Sequence, residues 1–148
     1  MSACDGIDGP LDRRAAADYT TDPMPYFVYV IELDEAVKKV RKFAERNPGM
    51  LPFGQCYYVA QSIHDPDCRY RQHKECFGGS TEFSCICDRK QGRLTKRLSN
   101  GFARRFGRSL SRRHYEHLNP LRSRAAAEAM EARLAGELQA DGHGVWWG

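Results

Sequence analysis

Two tyrosines and a set of cations are the residues in this chain best suited to chemistry. Tyr29 lies in the run PYFVYVIEL (25–33) and Tyr58 in CYYVAQS (56–62), both of strand length and rich in Tyr and Val. A basic segment with Arg69, Arg71, His73 and Lys74 follows directly. If the two runs pair antiparallel, side chains alternate between faces, and the register can bring both hydroxyls to one face beside the arginines. Phenols next to guanidinium groups suit a phosphodiester, because one can orient or deprotonate water while the other stabilises developing phosphoryl charge. The same pattern also describes a half-buried hairpin whose tyrosines only pack.

The elements around these residues must hold them. Residues 1–24 mix Gly, Asp, Pro and Ala without periodicity and read as a mobile leader. One domain is expected over 25–148, a length that supports a real core. A strand at 26–33 gives way to a helix over 34–46, capped by Asp34 and striped by Ala36, Val37, Val40, Phe43 and Ala44, until Asn47-Pro48-Gly49 stops it. After the second strand, Asp65-Pro66 opens a short helix that places Arg69 and His73 on one face, four residues apart. Gly78-Gly79-Ser80-Thr81 marks a turn. Leu94, Leu98, Phe102 and Phe106 then recur at helical spacing, predicting a basic amphipathic helix over 93–105. A third strand is expected at 109–118, and an alanine-rich helix from a Ser123 cap to about 139. The tryptophans of the tail are expected to cover the sheet. These elements describe an α/β fold of the α+β type, with a small, mostly antiparallel three-stranded sheet surrounded by helices.

In the last helix Ala127, Met130, Leu134 and Leu138 set the core face. At ~100° per residue, Glu131 and Glu137 fall on opposite margins of that stripe and Glu128 points away, so helical geometry leaves two candidate carboxylates.

Val28-Tyr29-Val30, then Tyr58-Val59-Ala60-Gln61-Ser62, then Arg69 four residues before His73, resembles the GIY-YIG nuclease superfamily. Together with the C-terminal helix the likeness spans most of 26–148. Ala60 stands where the family usually has Gly, and no counterpart is assigned to the family's C-terminal Asn. The resemblance selects Glu131, since Ser123, Ala127 and Glu131 reproduce a cap, a small residue and a metal-binding Glu at four-residue steps. It implies a metal-dependent endonuclease, a phosphodiester hydrolase. Tyr29 would activate water, Tyr58 assist by hydrogen bonding, Arg69 stabilise the phosphoryl charge and His73 position phosphate or aid proton transfer. Glu131 would bind one Mg²⁺ or Mn²⁺, and the product ends would be 5′-phosphate and 3′-hydroxyl.

Net charge is +4, yet twelve of the twenty-three Lys and Arg fall between Arg89 and Arg124, where Glu116 is the one acid. Such a patch points to a polyanion. With the resemblance the expected partner is nucleic acid, double-stranded DNA first and RNA left open by the sequence; the residues to meet it are Arg71 and Lys74 before the patch and Lys96, Arg97, Arg104, Arg105, Arg108, Arg112 and Arg113 within it. A dimer on substrate is compatible with a single small domain. No apolar run has membrane-spanning length and no signal-peptide core is seen, so a cytoplasmic location is expected, or a nuclear one in a eukaryote. The six cysteines are then expected to be reduced, and a zinc site from Cys68, His73, Cys76, Cys85 and Cys87 is the lesser alternative. The competing readings of the whole are a non-catalytic nucleic-acid-binding module and a zinc-stapled interaction domain.

Overall fold

The structure is a computed structural model and describes residues 25–75 and 101–148. Its elements in chain order are β1 (Phe27–Leu33), α1 (Arg41–Arg46), β2 (Cys56–Ser62), α2 (Pro66–Glu75), α3 (Gly101–Phe106), β3 (Gly107–Leu110), α4 (Arg124–Ala140) and β4 (Gly144–Trp147). The four strands form one mixed sheet in the order β3-β1-β2-β4. The pairs β1–β2 and β1–β3 are antiparallel, and β4 runs parallel to β2. The architecture is therefore α+β. The leader over 1–24, the Gly78–Thr81 turn, Lys96, Arg97 and the first part of the 93–105 helix lie outside the described residues.

β1 and β2 are the inner strands, and both faces of each are buried except at Glu32 and Gln61. Near-continuous apolar sequence is what such a doubly covered position demands. The core unites Val28, Val30 and Ile31 of β1, Val59 of β2, Phe43 of α1, Phe102 of α3 and Leu134 of α4.

Three element assignments change. Among the described residues the sheet has four strands where the sequence predicts three, because the tail forms β4. Its entry is a Schellman turn in which His143 N–H bonds to Leu138 O at 3.1 Å and Gly142 N–H to Gln139 O at 3.0 Å, with Gly142 at φ 93°. The helix expected over 34–46 is broken. Asp34 caps a 3-10 helix at Glu35–Lys39, Val40 is extended, and α1 starts after it. In one continuous helix Val37 and Phe43 would diverge by roughly 120°. The break lets both be fully buried. The strand expected over 109–118 is only β3, followed by two 3-10 helices at Arg112–His114 and Glu116–Leu118. These turn Tyr115 into the core, which extended alternation would not do.

Candidate active site

Register decides what the strands present. Tyr29 pairs with Ala60 and Ile31 with Tyr58, so Tyr29 and Tyr58 are diagonal neighbours on one face. Their ring centroids are 6.3 Å apart. The residue opposite Tyr29 on that face is Ala60, the departure from the family pattern.

The third ring comes from α2. Pro66 begins this helix, and its missing N–H is harmless there. His73, two turns on, places Nε2 3.0 Å from Tyr29 Oη and its ring edge-on to Tyr58 at 5.4 Å. Burial pushes the His73 pKa down to about 3, reinforced by the nearby Arg69 charge, so the imidazole is neutral near pH 7. Tyr29 and Tyr58 both have raised pKa values, chiefly because burial disfavours phenolate, and Arg69 opposes that rise in each. The guanidinium charge thus acts on both phenols. It is also held on its own helix, where Arg69 Nη1–H donates to Gln72 Oε1 at 2.6 Å.

Glu131 completes the set from α4. The buried stripe of this helix is Ala127, Glu131, Leu134, Ala135 and Leu138, with Met130 half-buried. The carboxylate is inside the apolar stripe at 8% exposure, not on its margin as helical geometry alone predicts. The two other acids of the helix are on the surface and paired locally, Glu128 with Arg124 at 3.4 Å and Glu137 with Arg133 at 3.1 Å. Glu131 Oε2 instead accepts the Gly148 N–H at 2.8 Å. Burial raises its pKa, against the lowering effect of that N–H, and its charge is felt by both tyrosines.

Tyr29, Tyr58, Arg69, His73 and Glu131 therefore converge from β1, β2, α2 and α4. Arg69 is the half-buried member and the other four are buried, so Arg69 is the one solvent reaches most. Two polar atoms of the cluster, Arg69 Nε and His73 Nδ1, are buried without a hydrogen-bond partner. An unpaired buried donor typically costs about 1–3 kcal/mol, so a ligand oxygen or water that met these atoms would be favoured.

The expected cation-binding residues divide. Arg71, Arg104, Arg105, Arg108, Arg112 and Arg113 are exposed. Arg105 lies over the Phe106 ring at 4.9 Å, and Arg112 is ion-paired to Asp67 at 2.6 Å. Lys74 ties α2 to the end of α3, donating to Arg104 O at 3.0 Å and Gly107 O at 2.9 Å. Carbonyls at a helix C-terminus attract such an ammonium. Cys56 and Cys68 are not in disulfides, and among the described residues no three His, Cys, Asp or Glu are grouped for a metal. Of the zinc candidates, Cys68 lies beside His64 and Gln72, His73 is bonded to Tyr29, and Cys76, Cys85 and Cys87 fall outside the described residues.

Sequence reading misses two participants. Gln72 is buried against Arg69, and the Gly148 amide holds Glu131. Gln72 was accessible in principle, since it lies three residues from Arg69 on one helix; the Gly148 contact needed β4. Among the described residues no helix is long and apolar enough to cross a membrane. No protein-family model, curated protein or solved structure matches the chain.

Proposed function

We propose that the chain is a metal-dependent endonuclease of the GIY-YIG type, hydrolysing phosphodiester bonds, with duplex DNA as substrate. The observation that carries this reading is the convergence of Tyr29, Tyr58, Arg69, His73 and Glu131 from four separate elements. A core that merely packs would have no use for a carboxylate, a guanidinium and an imidazole around two phenols.

The neutral imidazole is suited to accept a hydrogen bond and, with its pKa at about 3, not to hold a proton. In the tautomer with Nδ1 protonated, His73 Nε2 accepts the Tyr29 O–H, which leaves a Tyr29 Oη lone pair to orient an attacking water. The water oxygen bonds to phosphorus and releases its proton to solvent, the bond to the leaving 3′-oxygen breaks, and solvent protonates that oxygen. Tyr58 supports Tyr29 by hydrogen bonding. Arg69 offsets the charge that builds on the non-bridging oxygens, and its free Nε–H is a donor for one of them.

Glu131 suits one hard divalent ion. Its carboxylate is buried, has no ion-pair partner among the described residues and keeps one oxygen beyond the Gly148 contact. One carboxylate with water in the remaining positions is a common way to hold Mg²⁺, and Mn²⁺ would use the same oxygen. When bound, such an ion supplies Lewis-acid polarisation of the phosphoryl oxygen. Zinc stapling has less support, given where His73 and Cys68 point.

One observation favours the competing reading, a nucleic-acid-binding module whose tyrosine cluster is scaffold: Tyr29, Tyr58 and His73 are nearly closed off from solvent. End-group analysis of a linear duplex incubated with Mg²⁺ separates the two. Cleavage leaving 5′-phosphate and 3′-hydroxyl ends supports the nuclease; binding without cleavage supports the module.

A further inference from the structure

Gln72 is 1% exposed and among the largest fully buried side chains, an unusual place for an amide. Burying an amide costs free energy unless both of its ends are met. Its neighbours fix which end is which. A guanidinium offers donors only, so the atom 2.6 Å from Arg69 Nη1 has to be Oε1. The amide nitrogen then faces Cys68 Sγ at 3.7 Å, a weak acceptor one turn back on α2. The amide cannot flip without setting its N–H against the guanidinium N–H.

The chemistry of the pair matters as much as its geometry. A half-buried guanidinium edge is commonly met by a carboxylate, which would cancel its charge. Here a neutral amide meets it, and among the described residues Arg69 has no ion-pair partner. The edge is fixed while the positive charge is not spent, and Nε remains buried and unpartnered beside the tyrosine face.

We propose that Gln72 is a positioning residue: its carbonyl clamps one edge of the Arg69 guanidinium without neutralising it, so the fixed charge is kept for an anionic oxygen at the tyrosine face. The clamp itself stands on the geometry; its consequence for an anionic substrate rests on the nuclease reading. The thiol of Cys68 meets the amide nitrogen.

Two variants separate clamp from charge. Gln72→Met keeps length and removes the acceptor, whereas Gln72→Glu keeps the acceptor and adds the neutralising charge. Two readouts are taken: the Arg69 Nε–H resonance by nitrogen-15 NMR, assigned with Arg69→Lys, and kcat and KM for Mg²⁺-dependent cleavage of a short duplex. The wild type should show a slowly exchanging Arg69 Nε–H signal, which Gln72→Met loses and Gln72→Glu keeps. Both variants should lower kcat by about ten- to a hundredfold with KM little changed, because misplacing or neutralising the group acts in the transition state. A Gln72→Met protein with an unchanged resonance overturns the clamp, and a Gln72→Glu protein with wild-type kcat overturns the need for neutrality. A wild type that binds duplex but never cleaves it defeats the nuclease reading, while the resonance still decides the clamp. Should Gln72→Met not fold, Gln72→Glu decides by both readouts.

Discussion

His73 is carried into the fold as a neutral imidazole, and that has a measurable consequence for acid stability. Its pKa falls from an ordinary 6.5 to about 3, so between those values the unfolded chain binds a proton that the folded chain refuses. Stability from this group is full above pH 6.5 and is lost as pH drops towards 3, at up to about 1.4 kcal/mol per pH unit. Glu131 has the opposite sign: its raised pKa means the folded state holds a proton longer, so its contribution is lost as pH rises above the usual carboxylate range. Urea unfolding of wild type and His73→Phe across pH 7 to 4 isolates the histidine. The variant should lose less stability on acidification, and parallel curves would show that His73 is not the group responsible. For catalysis, Tyr29→Phe and Arg69→Ala should each slow cleavage by about a hundredfold or more while circular dichroism stays unchanged. Near-normal turnover in either would reject its role. The tyrosines are legible in the sequence because they sit in strand-patterned runs, whereas Arg69 and His73, on a polar helix, stand out only through the family resemblance. Glu131 was half legible, since a 3.6-residue period gives a margin but not which margin the sheet covers. Gln72 was overlooked because glutamine on a polar helix reads as surface.

At the scale of elements, the C-terminal half of the site depends on one turn. The Schellman end of α4 at Gly142 reverses the chain into β4, and β4 delivers the Gly148 amide to Glu131. Asn47 secures the same strand: it accepts Val145 N–H at 2.8 Å and donates to Val145 O at 3.0 Å. Arg46 adds to this by stacking on Trp146 and Trp147 at 4.3 and 4.2 Å. A side chain at Gly142 would meet positive φ and the Leu51 side chain together. Gly142→Ala should therefore cost about 1–2 kcal/mol in urea unfolding and lower cleavage by loosening Glu131. Unchanged stability would mean that the turn adapts. This region was the least legible from sequence, because a four-residue parallel strand carries no alternation to detect and its partner is eighty-odd residues away. The break at Val40 was hidden for a related reason: an apolar stripe was present, but two core anchors six residues apart cannot share one helix face, and packing decided between them.

At the scale of the molecule, five of the exposed cations among the described residues lie where α3 leads into the sheet-edge strand β3 and the 3-10 helix after it, at Arg104, Arg105, Arg108, Arg112 and Arg113. If about four to six phosphates are met, log affinity should fall against log salt with a slope of about −4 to −5 on duplex DNA. Reversing Arg104, Arg105 and Arg108 to Glu should weaken binding across all sequences and leave Glu131 untouched. Insensitivity to both salt and reversal would make this face merely solvated. Charge clustering was legible because it needs no fold; that Lys74 and Arg112 have internal partners was not, because those partners are distant in sequence. The central claim, that Glu131 serves phosphodiester hydrolysis, is tested most directly by nicking of supercoiled plasmid with wild type, Glu131→Gln and Glu137→Gln, each with and without Mg²⁺. Nicking should occur for wild type and Glu137→Gln only when Mg²⁺ is present, and be absent for Glu131→Gln although that variant still binds DNA. Full Mg²⁺-dependent nicking by Glu131→Gln would contradict the account.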